Sequence, residues 1–139
     1  MGSLGRRKVD QELYMIIHYL EDNLDWCFQL HHSVSKRLDA ALTTSQNLEE
    51  MCDYLSRNDA DLILVDIRRP DALSLKDDVQ HIRKFSKKPI LFITNANCDL
   101  TEERARQSGA LGVLDKNQVS IDGFLDEVTA IYDEQIRRV

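Results

Sequence analysis

Glycine and proline are scarce in this sequence, with five and two in 139 residues. No glycine-rich loop follows any apolar run and there is no GxSxG, which argues against a nucleotide-binding phosphate loop and against an α/β hydrolase. Cysteine is also sparse. Cys27, Cys52 and Cys98 are widely spaced, form no CxxC pair and sit near no histidine, so they read as reduced thiols of a cytoplasmic protein, used as small hydrophobes. No apolar run approaches the ~18 residues of a membrane span. The opening "MGSLGRRKVD" has basic residues but no apolar segment behind them, so it does not read as a secretory signal. Residues 1–11 are expected to be a flexible leader or tag-derived segment, and residues 12–139 one domain with a core of its own. An excess of positive charge is missing too. The net charge of -6 argues against nucleic-acid binding by this domain alone.

What the chain does have is a set of short apolar runs that end on polar groups. "YMIIHYL" (14–20) stops at Glu21-Asp22, "DLILV" (61–65) at Asp66, and "PILFIT" (89–94) at Thr94 and Asn95. These lengths and compositions predict buried strands. "AALTT" (40–44) and "LGVLDK" (111–116) are weaker candidates. Helical spacing falls between them. Leu24, Cys27, Phe28, Leu30 and Val34 follow Asn23, a candidate N-cap, and Asn47 is placed to cap a helix through Leu48, Met51, Cys52 and Leu55. Leu75, Val79, Ile82 and Phe85 make a third stripe, a short helix runs from Thr101 towards Gly109, and Ile121 to Ile136 carry the clearest stripe. Strand and helix alternate five times, which predicts a parallel, doubly wound sheet with right-handed crossovers.

Such a sheet places its site at the carboxyl ends of its strands. Glu21, Asp22, Asp66, Thr94, Asp115 and Lys116 would all gather there. Carboxylates held together repel one another unless a cation sits among them. Oxygen ligands with retained waters suit Mg²⁺, and a lysine and a hydroxyl suit a phosphoryl group. This is a set that can accept a phosphoryl group on an aspartate.

"LED" closing the first run, "DLILVDIRRP" with its Asp-x-x-x-Pro, "PILFIT" and "GALGVLDK" together resemble a response-regulator receiver domain of two-component signalling, over roughly residues 13–132. The resemblance implies a flavodoxin-like (βα)5 fold, a five-stranded parallel sheet of order 2-1-3-4-5. It implies Asp66 as phosphoacceptor, with Glu21, Asp22, Asp66 and the Arg68 carbonyl holding Mg²⁺. Thr94 would be the switch hydroxyl and Lys116 the partner of Asp66 or its phosphate. The donor would be a histidine kinase or a phosphotransfer protein, and the domain would be a signalling switch rather than a turnover enzyme. The chain departs from the family pattern at several points. Leu73-Ser74 stand where Asp-Gly is usual, Val113 at the switch aromatic, Asn95 at a small residue and Asn117 at a proline. These changes leave the chemistry set complete and alter the set that relays it. They motivate the alternative of a receiver-like interaction module that works without phosphorylation.

Blander roles remain open. Glu21 and Asp22 also suit a helix cap, Lys116 and Asp115 a solvated surface, and Arg68 and Arg69 either solvation or steering of phosphate donors. His18 reads as a packed core histidine, and Trp26 as half-buried. Adjacent His31 and His32 cannot share a helix face, so they make a poor metal pair. The C-terminal stripe suits core packing with a frayed end. It equally suits a homodimer seam or a lead into an output domain.

Overall fold

The computed structural model describes residues 7–9, 12–37, 39–95, 99–117 and 120–137, with side chains for all of these except 7–9, 12, 13, 99, 136 and 137. In chain order the elements are β1 (Arg7–Val9), β2 (Glu12–Leu20), α1 (Leu24–Val34), β3 (Ala40–Ser45), α2 (Leu48–Arg57), β4 (Leu62–Asp66), α3 (Leu75–Arg83), β5 (Ile90–Thr94), α4 (Asp99–Gln107), β6 (Val113–Asp115) and α5 (Ile121–Arg137). The parallel strands lie in the order β3-β2-β4-β5-β6, which is 2-1-3-4-5 when these five are counted along the chain. The expected doubly wound sheet is therefore present. β1 adds a short antiparallel pairing to the start of β2, with Arg7 opposite Tyr14 and Val9 opposite Glu12. The sequence alone assigns Arg7–Val9 to the leader, because a three-residue strand shows no periodicity to detect.

Successive side chains on a strand point to opposite faces, and the burial follows that rule. Met15, Ile17 and Tyr19 of β2, Leu62 and Leu64 of β4, and Leu91 and Ile93 of β5 form one core with Leu30 and Val34 of α1 and Phe124, Leu125 and Val128 of α5. Leu20, Ile63, Val65, Ile90 and Phe92 form the other, with Met51 and Leu55 of α2, Val79 and Ile82 of α3, and Ala105 of α4. All five residues of β4 and of β5 are buried, as expected of strands covered on both faces.

Asn23 and Asn47 cap their helices as expected, accepting from the backbone N–H of Trp26 and of Glu50. α4 begins at Asp99, two residues before Thr101, and Gly109 beyond its end has φ +101, a conformation glycine adopts without strain. Two stripes are narrower than expected. On α1, Cys27, Leu30 and Val34 are buried, but Leu24 and Phe28 are 60% and 74% exposed. Phe28 lies about 100° round the helix from Cys27, off the sheet-facing side. Phe85 falls beyond the end of α3 and is exposed. On α5 Phe124, Leu125, Val128 and Tyr132 are buried; the side chain of Ile136 and the residue Cys98 lie outside what is described.

His18 is a core histidine. It is fully buried on β2, its Nδ1 is 2.7 Å from Thr43 Oγ1 and its Nε2 2.7 Å from Ser45 Oγ, and its ring stacks on Tyr54 at 3.9 Å. Burial lowers its pKa from 6.5 to about 4. Between these values the unfolded chain binds the proton and the folded chain does not. Stability is therefore full above pH 6.5 and falls as pH drops towards 4. The drop is worth roughly 3 kcal/mol at most. Urea denaturation from pH 7 to 4.5 should show this slope. His18→Gln should flatten the part of it that lies between pH 6.5 and 5.5.

Candidate functional site

The alternation that builds the two cores also selects what meets at the strand ends. Counting on by twos, Tyr19 leads to Glu21, Leu64 to Asp66, and Leu114 to Lys116. All three sit on the α1/α5 face of the sheet, just where β2, β4 and β6 finish. β2 and β4 are hydrogen-bonded neighbours, and β6 is reached across β5. A lysine is long enough to span that gap.

Lys116 does span it. Its Nζ donates to Asp66 Oδ2 at 2.8 Å and to Glu21 Oε1 at 2.7 Å. Both carboxylates are almost wholly buried, and the lysine side chain is mostly so. The remaining oxygens are held as well. Asp66 Oδ1 accepts from the backbone N–H of Arg68 at 2.7 Å, and Glu21 Oε2 from that of Asn23 at 3.0 Å. Glu21 Oε1 also accepts from the hydroxyl of Tyr19 at 3.1 Å, and Trp26 Nε1 donates to that hydroxyl at 3.2 Å. Lys116 Nζ stands 5.6 Å from the centre of the Trp26 ring, within cation–π range.

These contacts set the charge states. Burial, reinforced by the neighbouring charge of Asp66, raises the pKa of Glu21, while its bonds from Lys116 and the Asn23 N–H oppose the rise. Burial alone would lower that of Lys116, but its bonds to Asp66 and Glu21 outweigh it and keep the ammonium charged. Burial, and then the charges of Glu21 and Asp66, push Tyr19 far up, so it stays a neutral phenol able to donate. Cys27, buried with its thiol 3.6 Å from the Glu21 carbonyl, is raised to about 11, chiefly by burial, and behaves as the small hydrophobe expected.

The other predicted residues are placed around this pair. Asp22 follows Glu21 and is half-buried. Thr94 is buried at the end of β5, and its carbonyl accepts from the Lys116 backbone at 2.8 Å. Asn95 is exposed, and its carbonyl accepts from Asn117 Nδ2 at 3.0 Å, which ties the loops after β5 and β6 together. Val113 is half-buried on β6 and packs towards the α2–α4 core. Arg68 is exposed, with its N–H on Asp66. Among the described residues, no three His, Cys, Asp or Glu side chains stand together in a way that could hold a metal ion. The carboxylate and carbonyl oxygens are of the kind Mg²⁺ takes. Glu21, however, is turned to Lys116, Tyr19 and Asn23.

One residue plays a role the sequence did not suggest. Arg69, left open between solvation and steering of phosphate donors, is 6% exposed. Its guanidinium makes a two-pronged pair with buried Asp78 of α3 at 3.1 and 3.4 Å, bonds Asp71 at 3.1 Å, and donates to the Asp66 carbonyl at 2.9 Å. Asp71 in turn accepts from the Leu48 N–H at 2.7 Å. This network forms the turn after Asp66 where the family pattern has glycine, and Ser74 then caps α3. The one sequence signal was Asp78, a carboxylate next to the buried stripe residue Val79.

Solved structures with this architecture carry the same kind of domain. A two-component response regulator from Clostridium difficile superposes with a TM-score of 0.75 at 23% identity, covering 87% of this chain and 98% of that one. A CheY-like receiver domain protein from Methanospirillum hungatei JF-1 gives 0.75 at 15% identity, over 91% and 99%. The N-terminal domain of the nisin resistance regulator NsrR gives 0.69 at 24%, over 85% and 97%. The chain has the receiver fold. No protein-family model matches its sequence, and no curated protein does so either. In the receiver fold the carboxyl edge that carries Asp66 is the crevice of a doubly wound sheet, where such folds place their ligands.

The three buried ion pairs at this edge, Lys116–Glu21, Lys116–Asp66 and Arg69–Asp78, have measurable effects on stability. Removing Lys116 leaves two buried carboxylates without their cation, so Lys116→Met should lower the unfolding free energy by about 3 kcal/mol or more. Adding Asp66→Asn should restore part of that loss, as measured by urea melts. Asp78→Ala should cost about 3–5 kcal/mol by stranding Arg69, and Arg69→Met with Asp78→Leu should recover most of it.

Proposed function

We propose that this receiver-fold chain is a phosphoacceptor that takes a phosphoryl group on Asp66 and switches protein–protein contacts. The observation that carries the reading is the seating of Asp66 at the end of a fully buried strand, with Oδ1 on the Arg68 N–H and Oδ2 on Lys116. A carboxylate fixed in this way is preorganised for attack on phosphorus. With acetyl phosphate as donor, an Asp66 oxygen forms the new P–O bond while the P–O bond to acetate breaks, so one carboxylate enters and one leaves with no net proton. Lys116 neutralises charge on the transferred oxygens. Mg²⁺ would be held by Asp22, Asp66 and the Arg68 carbonyl, and when bound it supplies charge stabilisation at the equatorial oxygens.

The donor in this reading is a histidine kinase or phosphotransfer protein, and the chain is a signalling component rather than a turnover enzyme. Among the described residues no helix is long and apolar enough to cross a membrane. A second reading is favoured by two observations. Lys116 already bridges Glu21 and Asp66, and Val113 replaces the aromatic that would follow a modified site. In that case the fold serves as an interaction module with no phosphoryl chemistry.

Intact mass after incubation with acetyl phosphate and Mg²⁺ separates the two. The phosphoacceptor reading predicts one phosphoryl adduct on the parent chain and none on Asp66→Asn. A parent chain that stays folded by circular dichroism and gains no adduct establishes the interaction module instead.

A further inference from the structure

Glu21 does not face the crevice as an open ligand. Its Oε1 takes both Lys116 and the Tyr19 hydroxyl, and its Oε2 takes the Asn23 N–H. Two donors fill the lone pairs of Oε1. Behind Tyr19 stands Trp26, whose indole N–H donates to the same hydroxyl. A continuous chain of hydrogen bonds therefore runs Trp26, Tyr19, Glu21, Lys116, Asp66, with every link at 3.2 Å or less. It crosses from β4 to α1. At its far end Trp26 meets Phe124 of α5 edge-on at 5.5 Å, and Tyr19 lies 6.3 Å from the same ring.

We propose that Tyr19 is a positioning residue that commits Glu21 to Lys116, so that the charge on Asp66 is read at Trp26, on the seam between α1 and α5. The proposal rests on Asp66 being the group whose state changes, and it names where that change is felt. Lys116 is shared between two anions. A change at Asp66 alters how strongly Lys116 draws on Glu21, and Glu21 is linked through one phenol to the indole. Val113 supplies no aromatic to carry a signal towards α4, whereas Tyr19, Trp26 and Phe124 are three aromatics in contact on the opposite face. In this arrangement Glu21 is an anchor for the lysine, and the cation ligands of the proposed site are Asp22, Asp66 and the Arg68 carbonyl.

The chain has one tryptophan, so its indole N–H gives one cross-peak in a ¹⁵N–¹H spectrum. The test compares that peak in four proteins: the parent, Asp66→Asn, Tyr19→Phe and the double variant. Asp66→Asn removes an anion from Lys116 without any phosphoryl chemistry. The expected result is a shift of the indole peak when Asp66→Asn is made in the parent, and loss of that shift when it is made on top of Tyr19→Phe. An equal shift in both backgrounds is a through-space effect and overturns the relay, as does no shift in either. If Tyr19→Phe does not fold, Glu21→Met, which has no acceptor oxygen, breaks the chain at the next link and takes its place in the cycle. Adding acetyl phosphate and Mg²⁺ to the parent separates the two claims. An adduct that leaves the indole peak in place overturns the relay and keeps the phosphoacceptor. A shift on Asp66→Asn with no adduct formed keeps the relay and overturns the phosphoacceptor.

Discussion

One ammonium group holds the functional edge of this protein together. Asp66 and Glu21 are buried acids on adjacent strands, and each costs several kcal/mol to desolvate as an anion. Lys116 lies between them and donates to both. Without it, two carboxylates would be buried side by side with no cation between them. With it, two parallel strands can each deliver a charge to one crevice. The rest of the site extends from this pairing. Backbone N–H groups of Arg68 and Asn23 hold the outer oxygens, Tyr19 and Trp26 stand behind Glu21, and Arg69 holds the turn beyond Asp66.

The fold serves this by a simple geometric rule. Side chains alternate along each strand, so three residues of matching phase on β2, β4 and β6 reach the same face at the same edge. β4, which carries Asp66, is buried on both sides and packs a different set of side chains on each, which leaves little freedom for its register to slip. Rigidity of the core therefore becomes precision at the edge. A one-residue shift of β4 would send Asp66 to the α2–α4 face and leave Lys116 with Glu21 alone.

Much of this was legible in the sequence. Apolar runs ending on acids marked the strands, asparagines marked two helix starts, and the convergence of Glu21, Asp66 and Lys116 followed from the order of elements. What the sequence did not reveal were contacts between residues whose partners only the fold supplies. Arg69 looks like any surface arginine until Asp78 is brought beneath it by α3. Tyr19 looks like one more apolar strand residue until its hydroxyl is found on Glu21. The width of a helical stripe is equally silent, since Leu24 and Phe28 obey the spacing and still face outward. The same logic explains how 15–24% identity accompanies a shared fold. The fold requires apolar alternation and a few turns, which many sequences supply.

The central claim is that Lys116 bonds Glu21 and Asp66 at once. Long-range nuclear magnetic resonance correlations across hydrogen bonds, from the Lys116 ammonium to side-chain carboxyl carbons at neutral pH, test it directly. The account predicts a slowly exchanging ammonium correlated with the carboxyl carbons of both Glu21 and Asp66. A rapidly exchanging ammonium with no correlation, or one correlated with a single carboxylate, would contradict it.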